Sequence, residues 1–165
     1  MNASDKERPD RAQRTDRLEH EIADALGRSN RTAAVAESLT GGNVSAGLSA
    51  IEGASDWFLG GVVAYAKGVK FDLLGVDPGP VITAATAEQM ARGVSRLLQS
   101  DFAVATTGVG GPGPQEDLPQ GTVFIAVATP TATRVQKYEF EGDPSAIVQK
   151  TTQQALQDLA DAIAS

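Results

Sequence analysis

A three-layer α/β/α domain with a mixed sheet is the fold class this sequence predicts, and two observations point to it. Short apolar strand runs and amphipathic helical periods interleave from end to end, which calls for helices on both faces of a sheet. The last two strand runs, Thr122 to Ala128 and Arg134 to Phe140, alternate across a short turn at residues 129–133 as a hairpin does, so the sheet is mixed. With 165 residues and 41% hydrophobic content, the chain can build one core that folds alone, and neither a repeat nor a second domain is visible.

Taken in order, residues 1–14 are charged and offer no apolar period, so a disordered segment is expected there and a single domain over 15–165. From Thr15, the residues Leu18, Ile22, Ala25 and Leu26 share one face, which predicts a helix to about Gly27. Thr32 to Ala36 reads as a buried strand, and a helix of small residues opens at Gly41 and runs to about Ile51. Residues 51–56 form a turn, Trp57-Phe58 an apolar anchor, and Gly61 to Tyr65 a second strand. A short helix follows over 67–74, then a longer one over 87–98 with Met90, Val94, Leu97 and Leu98 inward. Phe102 to Thr107 is a third strand, and residues 108–121 form a loop dense in Gly and Pro. The final helix, from about Ser145, buries Ile147, Val148, Ala155, Leu156, Leu159 and Ile163.

Composition narrows the function. The chain carries 14 Lys and Arg against 21 Asp and Glu. Its first 31 residues balance seven basic side chains with seven acidic ones, so the net charge of −7 lies in residues 32–165. An acidic body with 5% aromatic content lacks the basic, aromatic surface of a nucleic-acid binder. The absence of cysteine removes thiol nucleophiles, thiolate metal sites and disulfides. No apolar run approaches a membrane span, and the polar N-terminus resembles neither a signal peptide nor a lipidation site, so the expected location is the cytoplasm.

The chemistry is restricted in the same way. His20 is the only histidine; without a second one in its helix it reads as a solvated residue, and no Ser-His-Asp triad is expected. A serine nucleophile would need Lys, Tyr or a carboxylate as its base. Ser38, in Glu37-Ser38-Leu39-Thr40-Gly41-Gly42, sits where a strand turns into a helix. It is either a helix cap or a group held near unpaired N–H groups that stabilise a phosphate or an oxyanion. Tyr65-Ala66-Lys67-Gly68-Val69-Lys70 follows an apolar strand, and its lysines are either a solvated helix face or, if packed against apolar walls, a general base. Thr107-Gly108-Val109-Gly110-Gly111-Pro112 can present N–H groups to an anion, although it matches neither a P-loop nor a dinucleotide fingerprint.

Together these segments, with Leu74-Gly75-Val76, Gly121-Thr122-Val123 and Phe140-x-Gly142-Asp143, resemble the C-terminal domain of the CinA (competence/damage-inducible) family over about residues 17–163. The family includes stand-alone amidases that convert nicotinamide mononucleotide to nicotinic acid mononucleotide and ammonia. The resemblance implies that Ser38 attacks the carboxamide carbon, that Lys70 and Tyr65 handle its proton, and that neither a cofactor nor a metal is required. Thr40, Gly41, Gly42, Thr83, Thr107, Gly108, Gly110 and Gly111 are the implied substrate-binding positions. The alternative is a family member with a retained pocket and little turnover, serving as a nucleotide-binding or protein-interaction module.

The chain departs from the family pattern at Leu39, Lys67, Ala84 and Pro144, and it lacks the arginines usual after Asp143. Lys67 and Lys150 are the cations left to meet a phosphate. The expected partners are a small pyridine nucleotide and further copies of the chain, through the small-residue helix at Gly41 and Trp57-Phe58, with no direct nucleic acid and no membrane.

Overall fold

The computed structural model describes residues 11–165. Its elements are α1 (Arg11–Ser29), β1 (Ala33–Glu37), α2 (Asn43–Ser49), a short 3-10 turn (Ala54–Asp56), β2 (Phe58–Val63), α3 (Lys67–Leu74), α4 (Ala84–Leu98), β3 (Phe102–Gly108), β4 (Thr122–Ala128), β5 (Thr133–Glu139) and α5 (Pro144–Ala164). The sheet order is β2-β1-β3-β4-β5. β1 runs parallel to β2 and β3, whereas β3, β4 and β5 are joined antiparallel, so the sheet is mixed as expected.

The two parallel crossovers run in opposite directions across the sheet, and a right-handed connection in each direction requires opposite faces. Accordingly α2 packs with α1 and α5 on one face, where Leu18, Ile22, Leu26, Val44, Leu48, Ile147, Leu156 and Leu159 meet Val35, Val104, Ile125 and Val127. Helices α3 and α4 cover the other face, where Leu74, Met90 and Val94 meet Ala34, Ala36, Ala103, Ala105, Ala126 and Ala128. Strand alternation therefore puts branched residues on one side and an alanine stripe on the other.

The two helices on the alanine side also meet closely, main chain against main chain. A Cβ built on Gly93 of α4 would lie 2.1 Å from the Leu74 carbonyl oxygen at the end of α3. Gly93→Ala is thus expected to lose about 2–3 kcal/mol of stability through overpacking, read from urea unfolding, with an unchanged midpoint refuting the contact.

Several expectations shift. The first helix begins at Arg11 rather than Thr15, so only residues 1–10 of the segment expected to be disordered lie outside the described residues. Helix α2 starts at Asn43, because Gly41 and Gly42 take left-handed φ values of 57° and 104° and delay its first turn. β2 ends at Val63, which leaves Tyr65 beyond the sheet. Leu97 is exposed, while Val148 and Ile163 are only half-buried. Trp57, expected to meet another copy of the chain, is packed into the core beside Phe58 with 4% exposure. Among the described residues, no helix is long and apolar enough to cross a membrane.

Candidate active site

The connections leaving β1 and β2 part to opposite faces of the sheet, and open α/β sheets bind ligands in the crevice at such a point, at the carboxyl ends of the strands. Ser38–Gly42 forms one side, and Ala64–Lys70 the other. The Ser38 N–H donates to the Thr106 carbonyl at 3.1 Å and the Ala64 N–H to the Glu37 carbonyl at 2.7 Å, so both segments are held at the strand ends. Strand alternation carries Ser38, after Ala34 and Ala36, onto the α3/α4 side. It is half-buried, and its hydroxyl has no hydrogen-bond partner among the described residues.

Ser38 does not cap α2. That task falls to Glu37, whose fully buried carboxylate accepts from the N–H groups of Val44 at 2.9 Å and Ser45 at 3.0 Å, and from the Ser45 hydroxyl at 2.8 Å. Thr40 also turns inward: its hydroxyl pairs with that of Thr106 at 2.9 Å, which leaves its backbone to face the turn. What the turn leaves open is backbone. Among the described residues, the N–H groups of Leu39, Thr40 and Gly42 have no acceptor, whereas those of Gly41 and Asn43 are bonded to the Ser38 and Thr40 carbonyls. Three unpaired donors beside a serine hydroxyl can stabilise a developing oxyanion.

Across the crevice, Lys70 is 1% exposed. Its ammonium turns back over the first turn of α3 and donates to the carbonyl oxygens of Ala64 at 2.6 Å and Tyr65 at 3.3 Å. Burial pushes its proton affinity below that of an ordinary lysine; Glu116 opposes this and Lys67 reinforces it. Lys70 is held at Ala64, the residue that continues β2 alongside Ser38, but no hydrogen bond joins it to the serine. Tyr65 contributes its carbonyl, whereas the residue is 73% exposed and its hydroxyl makes no hydrogen bond to Ser38 or Lys70. The expected three-residue constellation is therefore a serine and a lysine at adjoining strand ends, with the phenol outside.

The far wall is built from residues 81–83 and the 108–121 loop. Thr107 is buried, and its hydroxyl donates to the Val81 carbonyl at 2.6 Å. Thr83 caps α4, accepting from the Thr86 N–H at 3.0 Å. Neither hydroxyl is free for the ligand role expected of it. Gly108 serves a close β3–β4 approach, since a Cβ there would lie 2.7 Å from the Thr122 carbonyl oxygen. Gly110 lies against Leu39, which brings the loop over the serine turn, and Gly111 is an exposed residue of the loop with φ 85°.

The cations expected to meet a phosphate are already engaged. Lys67 pairs with Glu116 at 2.9 Å, and Lys150 donates to the Glu141 carbonyl. Asp143 caps α5, accepting from the Ala146 N–H at 2.8 Å, with Pro144 in the first turn. His20 is exposed on α1 and lies 2.8 Å from the Asp16 carbonyl, as a surface residue would. Sequence reasoning missed Glu37 and Glu116. The first has a visible signal, an acid ending an apolar strand, while the second is bonded to residues more than thirty positions away.

Comparison with known proteins agrees with this architecture. A family model described as the CinA C-terminal domain matches residues 15–163. A CinA-like protein of Synechococcus sp. is 49% identical over 121 residues, 70% of this chain and 29% of its own length. A CinA-like protein of Frankia casuarinae is 43% identical over 133 residues, 78% of this chain and 31% of its own. The chain thus spans about a third of the length of these relatives. The crystal structure of competence damage-inducible protein A from Klebsiella pneumoniae aligns with a TM-score of 0.88 at 31% identity, covering 91% of this chain and 97% of that one. The competence/damage inducible protein of Agrobacterium tumefaciens gives 0.87 at 28%, covering 92% and 96%. By sequence and by fold, this chain belongs to the CinA C-terminal domain family.

Proposed function

We propose that the chain is an amidohydrolase that deamidates nicotinamide mononucleotide to nicotinic acid mononucleotide and ammonia, with Ser38 as nucleophile and Lys70 as its base. The observation that carries the proposal is Lys70: a buried lysine whose ammonium is held at Ala64, where β2 ends alongside the Ser38 turn, with its proton affinity lowered mainly by burial, while the Ser38 hydroxyl has no hydrogen-bond partner among the described residues. Burying a cation with only carbonyl acceptors around it favours the neutral amine, and a lysine that loses its proton readily can take one from a hydroxyl.

In the proposed reaction, neutral Lys70 accepts the Ser38 proton while Oγ attacks the carboxamide carbon. The oxyanion is met by the N–H groups of Leu39, Thr40 and Gly42. Lys70 returns the proton to nitrogen as the C–N bond breaks, and ammonia leaves an acyl-serine. Water then adds with Lys70 again as base, releasing the carboxylate and restoring the hydroxyl. The reaction requires Nζ to swing from the Ala64 carbonyl toward Ser38, a tightening that catalytic groups undergo when substrate binds. The loop around Gly110 would cover the nucleotide.

A second reading, a nucleotide-binding module with little turnover, is favoured by the pairing of Lys70 with two carbonyls and by the engagement of Lys67 and Lys150. One experiment separates them: ammonia release from nicotinamide mononucleotide by the purified protein and by Ser38→Ala. Release that vanishes in the variant is the expected result. No release at high protein concentration, with the mononucleotide still raising the melting temperature, would sink the enzyme reading and leave the binder.

A further inference from the structure

We propose that Glu116 is a positioning residue for Lys70, latching the 108–121 loop onto residues 81–82 and Lys67 while its charge balances Lys67 one helical turn from Lys70. The inference rests on the proposed role of Lys70 as base and adds a member to that site.

The geometry starts from a turn in an unfavourable conformation. Gln115 and Leu118 exchange N–H···O bonds of 3.0 and 2.9 Å around Glu116 and Asp117, whose φ values of 51° and 60° are left-handed. Such a two-residue turn prefers Asn-Gly, because a larger side chain in this region crowds its own backbone. Its contacts give a reason to hold Glu116 there. The carboxylate accepts from the Val81 N–H at 3.0 and 3.1 Å, from the Ile82 N–H at 2.9 Å, and from the Lys67 ammonium at 2.9 Å. Burial pushes its proton affinity up, but these donors outweigh that and hold the carboxyl below the usual range. Since Thr107 grips the Val81 carbonyl from β3, residues 81–82 are held from both sides.

The electrostatic consequence follows from helix spacing. Lys67 and Lys70 are three residues apart in α3 and share a face, so an unbalanced Lys67 would drive the proton off Lys70. Among the described residues, Glu116 and Lys67 are the charged groups that act on Lys70. The others on neighbouring elements are directed elsewhere. Asp72 is exposed on α3, Glu88 and Arg92 of α4 pair at 2.9 Å, Arg96 lies beside Gly75, and Glu37 is occupied by α2 on the opposite face. The Tyr65 phenol is exposed.

The test is the titration of Lys70 itself, by NMR of protein labelled with 13C at lysine Cε and assigned with Lys70→Met, which five lysines make tractable. Glu116→Gln is expected to lower the Lys70 midpoint by about half a pH unit or more, and Lys67→Gln to raise it by a similar amount. The double variant should return it toward the wild-type value. The sign is decisive. A merely structural Glu116 would, when replaced, loosen the loop, admit water and let Lys70 rise toward an ordinary lysine. Upward shifts in both variants, or no shift in either, would overturn the proposal. Should Glu116→Gln fail to fold, an unchanged Lys70 midpoint in Lys67→Gln refutes it alone, and an upward shift supports it. The acid limb of mononucleotide turnover should move with the NMR midpoint. Opposed NMR shifts in a protein that releases no ammonia would support this linkage and count only against the amidase reading.

Discussion

Lys70→Met is expected to raise the stability of the fold and, on the amidase reading proposed above, to lower turnover of nicotinamide mononucleotide about 10²–10⁴-fold, the range for losing a general base. The two effects have one origin. Lys70 is fully buried, and replacing a buried charge by an apolar side chain of similar length is often stabilising, here by about 1–2 kcal/mol after two carbonyls lose their donor. The stability gain should depend on pH. Because the folded protein binds the Lys70 proton more weakly than the unfolded chain, protonation costs stability at any pH below the folded midpoint. As pH rises through that midpoint toward the unfolded value of 10.5, the penalty disappears. Urea unfolding should therefore show the widest gap between variant and parent at neutral pH, closing as pH approaches 10.5. A variant less stable than the parent at neutral pH would mean that the two hydrogen bonds outweigh the buried charge.

Glu37→Ala is expected to cost about 3–5 kcal/mol, a larger loss of stability than Gly93→Ala should cause. It removes the acceptor for two N–H groups of α2 and for the Ser45 hydroxyl, and leaves a void where the carboxylate was fully buried. Glu37→Gln should lose less, since it keeps the volume and one acceptor, but its amide nitrogen would face a donor it cannot pair with. The measurement is again urea unfolding, joined by hydrogen exchange at Val44 and Ser45, whose amides should lose protection before the rest of the domain. A loss below about 1 kcal/mol would show that water or the backbone replaces the cap.

What the sequence revealed follows the range of the forces involved. Continuous short apolar runs at residues 32–36 and 102–107 report a strand buried on both faces, so those strands, and the helices periodic against them, were legible to within a few residues. Tyr65 was misplaced because β2 is an edge strand whose ladder with β1 ends at Glu37 and Val63, and past the Ala64 N–H bond to the Glu37 carbonyl the chain turns away into α3. Glu37 caps a helix seven and eight residues away because two left-handed glycines intervene, a spacing outside the usual capping rule. The hydrogen-bond partners of the Thr40, Thr83 and Thr107 hydroxyls were out of reach for a related reason. A hydroxyl near a glycine-rich turn has the same composition whether it faces a ligand or a buried partner, and only the tertiary contact separates the two.

The alanine stripe under α4 has an implication for how the far wall keeps its place. Interlocking side chains can slide and repack, but the six methyl groups beneath α4 offer few teeth, and its place beside α3 is set by main chain meeting main chain, Gly93 against the Leu74 carbonyl. The helix behaves as a shim of fixed thickness: Thr83 heads it, residues 81–82 hang from that head, and the Glu116 latch closes onto them. A single added methylene under the helix would be transmitted along this rigid stack to the crevice itself, so residues far from the chemistry act as its gauge.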